Sequence, residues 1–98
     1  MHARFFSAQV SPEKVDEFIR LWHDEMLPGA KLQQGWKSAR LFVDRKTGKA
    51  IIVGLWETEA DALATSAGSA HADRIMGILR TLLVAPPVVE HYEVAGDA

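Results

Sequence analysis

Histidines and tryptophans are the side chains of this sequence best suited to chemistry. There are four histidines and three tryptophans, and there is no cysteine. The histidines, at positions 2, 23, 71 and 91, lack metal-site spacings such as two histidines four residues apart. Without cysteine the chain has no disulfide, no thiolate ligand and no thiol nucleophile. We therefore expect no metal, and acid–base and aromatic side chains are the candidates that remain.

Motifs for nucleotide binding and for serine hydrolysis are missing from the sequence. The seven glycines are scattered and match neither the dinucleotide-binding pattern nor the Walker pattern. No serine lies in the Gly-x-Ser-x-Gly frame of a nucleophile elbow. A net charge of −2 argues against a nucleic-acid partner, because such domains are normally strongly basic.

Three side chains have both a chemical and a structural interpretation. Trp56 ends an apolar strand, so it is core or the wall of an apolar pocket, and these two interpretations are compatible. His71 is predicted in the first turn of a helix, where the dipole disfavours a charged imidazolium. A neutral imidazole there accepts or donates a proton, and the alternative is a partly exposed surface group. Arg40 alternates with Trp36, and an inward-facing arginine needs a carboxylate or an anionic ligand.

A strand and then a helix are predicted at the start of the chain. Ala3 to Val10 is short and half alternating, which is typical of a strand. Ser11, Pro12 and Glu13 favour a helix start, as cap, first helical residue and dipole partner. Leu27-Pro28-Gly29 is predicted to stop the helix, because proline cannot continue it. Its apolar stripe at helical spacing, which predicts a core-facing side, is Val15, Phe18, Ile19, Trp22 and Met26.

A hairpin, two helices and a last strand are predicted in the rest of the chain. Gly48 suits the hairpin turn, Thr58 and Ser69 suit helix caps, and Gly68 separates the two helices. The order strand, helix, strand, strand, helix, strand is that of a ferredoxin-like α+β fold. We therefore expect a single domain over 1–98, a four-stranded antiparallel sheet with helices on one face. The predicted elements are strands 35–43 and 49–57, helices 59–67 and 69–84, and strand 88–94.

Both faces of the predicted hairpin are apolar, although helices are expected on one face only. Trp36, Phe42 and Ile52 are predicted on one face, and Leu41 and Val53 on the other. An uncovered apolar face of several hundred Å² is unusual for a monomer, and symmetric dimers are the commonest oligomers. The pattern therefore predicts a homodimer in which a partner's sheet covers the second face.

Nothing in the sequence predicts a membrane partner. The longest apolar stretch, Ala50 to Trp56, is far shorter than the ~20 residues of a membrane helix. The first residues lack the basic and apolar regions of a signal peptide. We expect a cytoplasmic protein.

Several short motifs resemble those of a known family. They are Gln34-Gly35-Trp36, the hairpin stretch 39–44, the junction 54–62 with its tryptophan-acid-threonine-acid pattern, and Ser69-Ala70-His71. Together they resemble the antibiotic biosynthesis monooxygenase (ABM) domain family over nearly the whole chain. The resemblance implies a ferredoxin-like fold that pairs into a dimeric α/β barrel.

What the resemblance implies about function is divided. Some members of the family oxidise polycyclic aromatic phenols with dioxygen and no cofactor, and others open haem. The quinone-forming members keep an asparagine and a tyrosine where this chain has Ile52 and Ala62, whereas Trp56 matches and Arg74 falls near a family arginine. The haem-degrading members need an asparagine on the first strand, where Phe6 stands, and a histidine ligand, for which His71 is the candidate.

Two functions follow as hypotheses. The first is a cofactor-independent monooxygenase that acts on a small aromatic or polycyclic substrate in an apolar pocket. The alternative is a non-catalytic dimer that binds a small apolar ligand, or one that binds haem. The candidate residues are His71, Trp56 and Arg74 for catalysis and Trp22, Trp36, Arg40 and Ile52 for substrate binding.

Overall fold

Four antiparallel strands form one sheet, with the helices packed on one side of it. The computed structural model describes residues 1–66 and 68–98. The strand order is β2-β3-β1-β4, so the two chain-terminal strands lie side by side. This confirms the predicted ferredoxin-like α+β fold, and the four strands form an open sheet. The elements are β1 His2–Gln9, α1 Val15–Leu21, α2 Leu27–Lys31, β2 Trp36–Asp44, β3 Lys49–Trp56, α3 Glu59–Leu63, α4 Ala70–Leu79 and β4 Val88–Glu93.

The first helical region is longer than predicted, because it continues through Pro28. A 3-10 turn at Pro12–Lys14 leads into α1, and a π-helical turn at Trp22–Met26 joins α1 to α2. The amide of Leu27 donates to the carbonyl of Trp22, five residues back. Pro28 therefore falls in the first turn of α2, where a missing N–H does not break the helix. The predicted stop at Leu27-Pro28-Gly29 is wrong for this reason.

A β-bulge between Trp36 and Ser38 changes which residues of β2 share a face. Trp36 is paired with Trp56, but after the bulge it is Ala39 and not Ser38 that pairs with Gly54. Trp36 consequently faces the helices together with Ala39, while Arg40 faces the other way and is exposed. The predicted inward-facing Arg40, which assumed strict alternation from Trp36, is wrong.

The helices after the hairpin begin where predicted and end earlier. The hydroxyl of Thr58 accepts from the amide of Asp61, and that of Ser69 accepts from the amide of Ala72. α4 ends at Leu79 rather than near Val84, because the amide of Val84 donates to Gln9 in β1. The predicted helix over 59–67 includes Ala67, which lies outside the described residues.

The helices and the sheet enclose an apolar core on one side of the sheet. Phe18 and Leu79 are fully buried there, and Ile19, Leu41 and Ile78 pack around them. We call this helix-packed side of the sheet the covered face and the opposite side the open face. No helix within the described residues has both the length and the apolar character needed to cross a membrane.

Candidate functional site

A cavity of about 590 Å³ lies on the covered face, between the sheet and the helices. Its wall is mainly apolar, with polar side chains from β1, β4 and α4. Such a composition is typical of small-molecule sites, which use a few polar groups to orient a ligand. The lining residues are Arg4, Phe6, Trp22, Met26, Leu27, Ala30, Trp36, Ala39, Ile52, Gly54, Trp56, Ser66, His71, Ala72, Ile75, Met76, Pro87, Val89 and His91.

The register of the sheet explains which strand residues reach the cavity. Residues directly opposite each other on antiparallel strands lie on the same face of the sheet. Arg4 on β1 is opposite Gly54 on β3 and opposite His91 on β4. One step further along, Phe6 is opposite Ile52 and Val89 in the same way. Two successive rows of the sheet thus supply the floor of the cavity.

Trp56 forms the buried wall at one end of the floor. Its side chain is only 1 % exposed, and its indole Nε1 is buried without a hydrogen-bond partner among the described residues. A Cβ atom placed on Gly54 would lie 3.3 Å from that nitrogen. Glycine at position 54 therefore leaves room for the indole N–H against the sheet.

Arg4 is a cation set in this apolar wall. Its Nη1 donates to the carbonyl of Ala62 at 3.2 Å and to the hydroxyl of Thr65 at 2.6 Å. The guanidinium carbon lies 5.2 Å from the centroid of the Trp56 ring, which is cation–π distance. Burial lowers the pKa of Arg4, but an arginine remains charged at any ordinary pH. Across residues 1–66 and 68–98, no carboxylate lies within ion-pair distance of it.

Two histidines meet beside Arg4. The Nε2 atom of buried His2 lies 3.1 Å from the Nδ1 atom of His91. The other nitrogen of His2, Nδ1, lies 3.9 Å from a carboxylate oxygen of the exposed Glu59. Burial is the largest cause that lowers the pKa of His91, followed by its electrostatic interactions with His2 and Arg4, while Glu59 acts in the opposite direction. His91 is therefore a neutral imidazole near pH 7.

His71 lies in the first turn of α4, as predicted, and it is one of the residues that line the cavity. Burial is the largest cause that lowers its pKa, followed by the charges of Arg4 and Arg74. His71 is accordingly also neutral near pH 7. The described residues contain no cluster of three histidine and acidic side chains suited to a metal ion.

Five of the seven predicted site residues come together in the cavity wall. They are Trp22, Trp36, Ile52, Trp56 and His71. Arg40 is exposed on the open face, as the bulge in β2 dictates. Arg74 is exposed and donates to the backbone carbonyl of Glu25 at 2.8 Å, so it joins α4 to the first helical region rather than lining the cavity. The roles of these residues in binding and catalysis stay predictions.

Two polar residues of the cavity were not predicted from the sequence: Arg4 on the inner strand β1 and His91 on the edge strand β4. A signal for Arg4 is present, since it alternates with Phe6 and Ala8 in a strand whose even positions are otherwise mainly apolar. His91 alternates with Val89 in the same manner. Their meeting depends on the pairing of β1 with β4, across 89 residues between His2 and His91.

Solved structures with the same architecture confirm the resemblance at the level of the fold. No protein-family model matches the sequence, and no curated protein matches it. A monooxygenase from the ActVA-Orf6 gene of Streptomyces coelicolor, solved in complex with nanaomycin D, superposes with a TM-score of 0.83 at 15% identity. That match covers 99% of this chain and 89% of that one.

Two further structures extend the comparison. An antibiotic biosynthesis monooxygenase has a TM-score of 0.76 at 18% identity, over 98% of this chain and 100% of that chain. A protein of unknown function from Nitrosomonas europaea, NE2512, has a TM-score of 0.80 at 19% identity, over 99% and 91% of the two chains. At these identities the likeness establishes a shared ferredoxin-like α+β fold.

Proposed function

We propose that this protein is a cofactor-independent monooxygenase that acts on a small aromatic substrate. The observation that carries the proposal is the cavity of about 590 Å³, whose apolar wall includes three tryptophans and two neutral histidines. Flat aromatic walls suit an aromatic ligand, and a neutral imidazole is the form that accepts a proton. The ligand-bound monooxygenase of the same fold supports a small-ligand site.

The reaction balances without a redox group on the protein. A phenol and dioxygen give a quinone and water, so the substrate supplies every electron that dioxygen accepts. The phenol first loses its proton to His71 or His91, and the electron-rich anion then transfers an electron to dioxygen. An apolar, water-poor cavity keeps the reactive intermediate from side reactions. The residues in contact with substrate in this proposal include Trp22, Trp36 and Ile52.

Oxygen uptake with a filled cavity tests the proposal. Ala72 lines the cavity, and Ala70 is exposed two residues earlier on the same helix. With naphthols and larger polycyclic phenols as substrates, wild type and Ala70→Phe are expected to consume oxygen and release a quinone. Ala72→Phe should lose most of that activity while its circular dichroism spectrum is retained. The proposal fails if none of these phenols supports uptake, or if both variants consume oxygen equally fast.

A non-catalytic binding protein is the second candidate, and one observation favours it. Ile52 lines the cavity and Ala62 is fully buried, so neither position offers the polar side chain that the family resemblance implies for quinone formation. This candidate predicts saturable binding of the same phenols, measured by tryptophan fluorescence, without oxygen uptake. The haem-binding variant of it predicts a shifted Soret band on hemin titration that is lost in His71→Ala.

We further propose that the protein is a homodimer joined through the open face of its sheet. Phe42, Val88 and Tyr92 on that face are each more than half exposed, and Phe5 packs edge-on against Tyr92 at 5.5 Å between ring centroids. A face of this kind is normally covered, and the helices of this chain lie on the other side. Size-exclusion chromatography with light scattering should give twice the chain mass at micromolar concentration, and a monomer mass would overturn this proposal.

A further inference from the structure

One corner of the cavity combines an uncompensated positive charge with a chain of proton-carrying groups. Only one nitrogen of Arg4, Nη1, donates hydrogen bonds, to the carbonyl of Ala62 and the hydroxyl of Thr65. Its Nε and Nη2 donate to no group in the parts of the chain that the structure describes. A guanidinium in an apolar wall is costly unless an anion lies against it. The open donors of Arg4 thus indicate a ligand that carries a negatively charged oxygen.

The tautomers of the neighbouring histidines follow from their partners. The carboxylate of Glu59 favours the proton on Nδ1 of His2, which leaves Nε2 of His2 as an acceptor. Nδ1 of His91 must then donate across the 3.1 Å contact. This leaves the second nitrogen of His91, Nε2, as a free base on a residue that lines the cavity. A proton taken up there has a path through His2 to the protein surface.

The second cavity histidine, His71, lacks these features. No described residue shares a side-chain hydrogen bond with its ring, and the guanidinium groups of Arg4 and Arg74 both oppose a positive charge on it. His2 and Arg4 also oppose a positive charge on His91, but His91 shares a side-chain contact with His2, and Glu59 acts in the favourable direction. Of the two neutral imidazoles, His91 is the better placed to hold and pass on a proton. The titratable and charged groups near His91 are His2 and Arg4 on β1, Glu59 on α3, Glu93 on β4 and His71 on α4.

We propose that this corner binds and ionises the hydroxyl of an aromatic ligand: His91 takes the proton, His2 passes it to solvent beside Glu59, and Arg4 holds the oxyanion. A phenol bound in this corner is therefore held as its conjugate base. The inference rests on the proposed monooxygenase function for its kinetic consequence, whereas the ionisation of a bound phenol stands without it.

The proton balance of the step is complete. The O–H bond of the ligand breaks, and its proton binds Nε2 of His91. The proton on Nδ1 of His91 moves to Nε2 of His2, and the proton on Nδ1 of His2 is released to solvent beside the Glu59 carboxylate, which lies 3.9 Å away. The anion left behind is neutralised by the guanidinium of Arg4, and no electron is transferred in this step.

Spectroscopy of a bound phenol tests the site without any oxygen chemistry. The probe is 4-nitrophenol, because its phenol and phenolate forms absorb at different wavelengths. The pH is varied in the presence of saturating wild-type protein, and the absorbance of the bound probe is followed. Wild type should make the bound probe a stronger acid than the free probe. Arg4→Gln should weaken the ionisation constant of the bound probe by about 10- to 1000-fold. The matched control is Arg20→Gln, an exposed arginine of α1, which should behave as wild type. Equal ionisation in wild type and Arg4→Gln would overturn the proposal.

Oxygen-uptake kinetics test the role of His91. His91→Gln should lower the rate near pH 7 by about 10²- to 10⁴-fold, and the rate should recover as the pH passes that at which the free substrate ionises. His71→Gln should lower the rate less and show no such recovery, and Glu13→Gln, an exposed carboxylate, should change nothing. A loss in His91→Gln that is the same at every pH would contradict the proton-transfer role.

The phenol-ionising site and the monooxygenase function can be disproved independently of each other. A wild-type protein that ionises bound 4-nitrophenol through Arg4 but consumes no oxygen would retain this site and remove the monooxygenase function. A wild-type protein that consumes oxygen, with bound-probe ionisation unaffected by Arg4→Gln, would retain the monooxygenase function and remove this site.

Discussion

The two faces of the sheet are built from alternate residues of the same strands, and they differ in how far their polar groups are exposed to water. On the covered face Arg4 and His91 are partly buried beside an apolar cavity. On the open face Arg40 and Glu90 are exposed among large apolar side chains such as Phe42. A polar group surrounded by apolar walls acts strongly on a ligand, whereas one in water is screened.

One sheet therefore offers two surfaces that place polar groups in opposite surroundings. The covered face holds few polar groups in fixed positions, which suits chemistry on a bound molecule. The open face presents a broad apolar surface with polar groups among it, which suits association with a second copy. Substitutions at adjacent positions of one strand therefore separate the two tasks, because neighbouring side chains point to opposite faces.

Trp56→Ala should have the largest effect on folding stability. Trp56 is buried on the covered face, and its neighbour Leu55 is half-buried on the open face. Removing the indole is expected to lower the free energy of unfolding by about 3 to 5 kcal/mol. Leu55→Ala should cost well under half of that, both measured by urea denaturation at one protein concentration. Equal losses would show that the two faces are packed alike.

Val53→Asp should have the next largest effect, on assembly rather than on the cavity. Val53 lies on the open face, opposite Phe5 and Arg40. A carboxylate there faces Arg40 across the strand pair, but burying both charged groups between two apolar sheets costs more than their attraction returns, so the dimer should dissociate. Light scattering should report the chain mass for Val53→Asp and twice that mass for Val84→Asp, a control at an exposed valine outside the sheet.

A dimer that survives Val53→Asp would show that the open face is not the contact between protomers. The same preparation should still bind 4-nitrophenol, because the cavity lies on the other side of the sheet. Loss of binding together with dissociation would instead link the two faces more closely than their separation in the fold indicates.

Local signals in the sequence were sufficient to predict most of the fold. They were not sufficient to predict which polar residues line the cavity. The caps at Thr58 and Ser69 and the turn at Gly48 depend only on nearby residues, and the structure has all three. The bulge after Trp36 depends on how β2 pairs with β3, and it reverses the face of every later residue in β2. Strict alternation consequently assigned the inward-facing arginine to Arg40.

An arginine without a carboxylate partner among the described residues does lie in the cavity wall, but it is not the predicted one. It is Arg4, on a strand that alternates without interruption. Its partners Ala62 and Thr65 are about sixty residues away, and no spacing rule within a strand reports such a contact. The same holds for His2 and His91, which meet only because the two terminal strands are neighbours in the sheet.

Gly54→Ala should have a moderate effect that is confined to the covered face. The added methyl group would approach the Trp56 Nε1 to 3.3 Å and would occupy part of the cavity floor. The free energy of unfolding should change by less than about 1 kcal/mol, because Gly54 does not have a positive φ. Affinity for 4-nitrophenol should fall by about tenfold, or about 1.4 kcal/mol, measured by titration. Unchanged affinity would place the bound ring away from the floor.

Acid sensitivity of folding should be the smallest effect, and it too belongs to the covered face. The pKa of His71 and that of His91 lie below the ordinary value of 6.5, chiefly because of burial. The unfolded chain therefore takes up protons before the folded chain as the pH falls through about 6.5. The free energy of unfolding should be constant above that pH and should decrease below it, measured by urea denaturation at fixed protein concentration between about pH 7.5 and about pH 5.5.

His71→Gln and His91→Gln should each flatten this decrease, whereas His23→Gln, at an exposed position, should not. An unfolding free energy that rises on acidification would mean that these imidazoles are stabilised as cations, which the neighbouring Arg4 opposes.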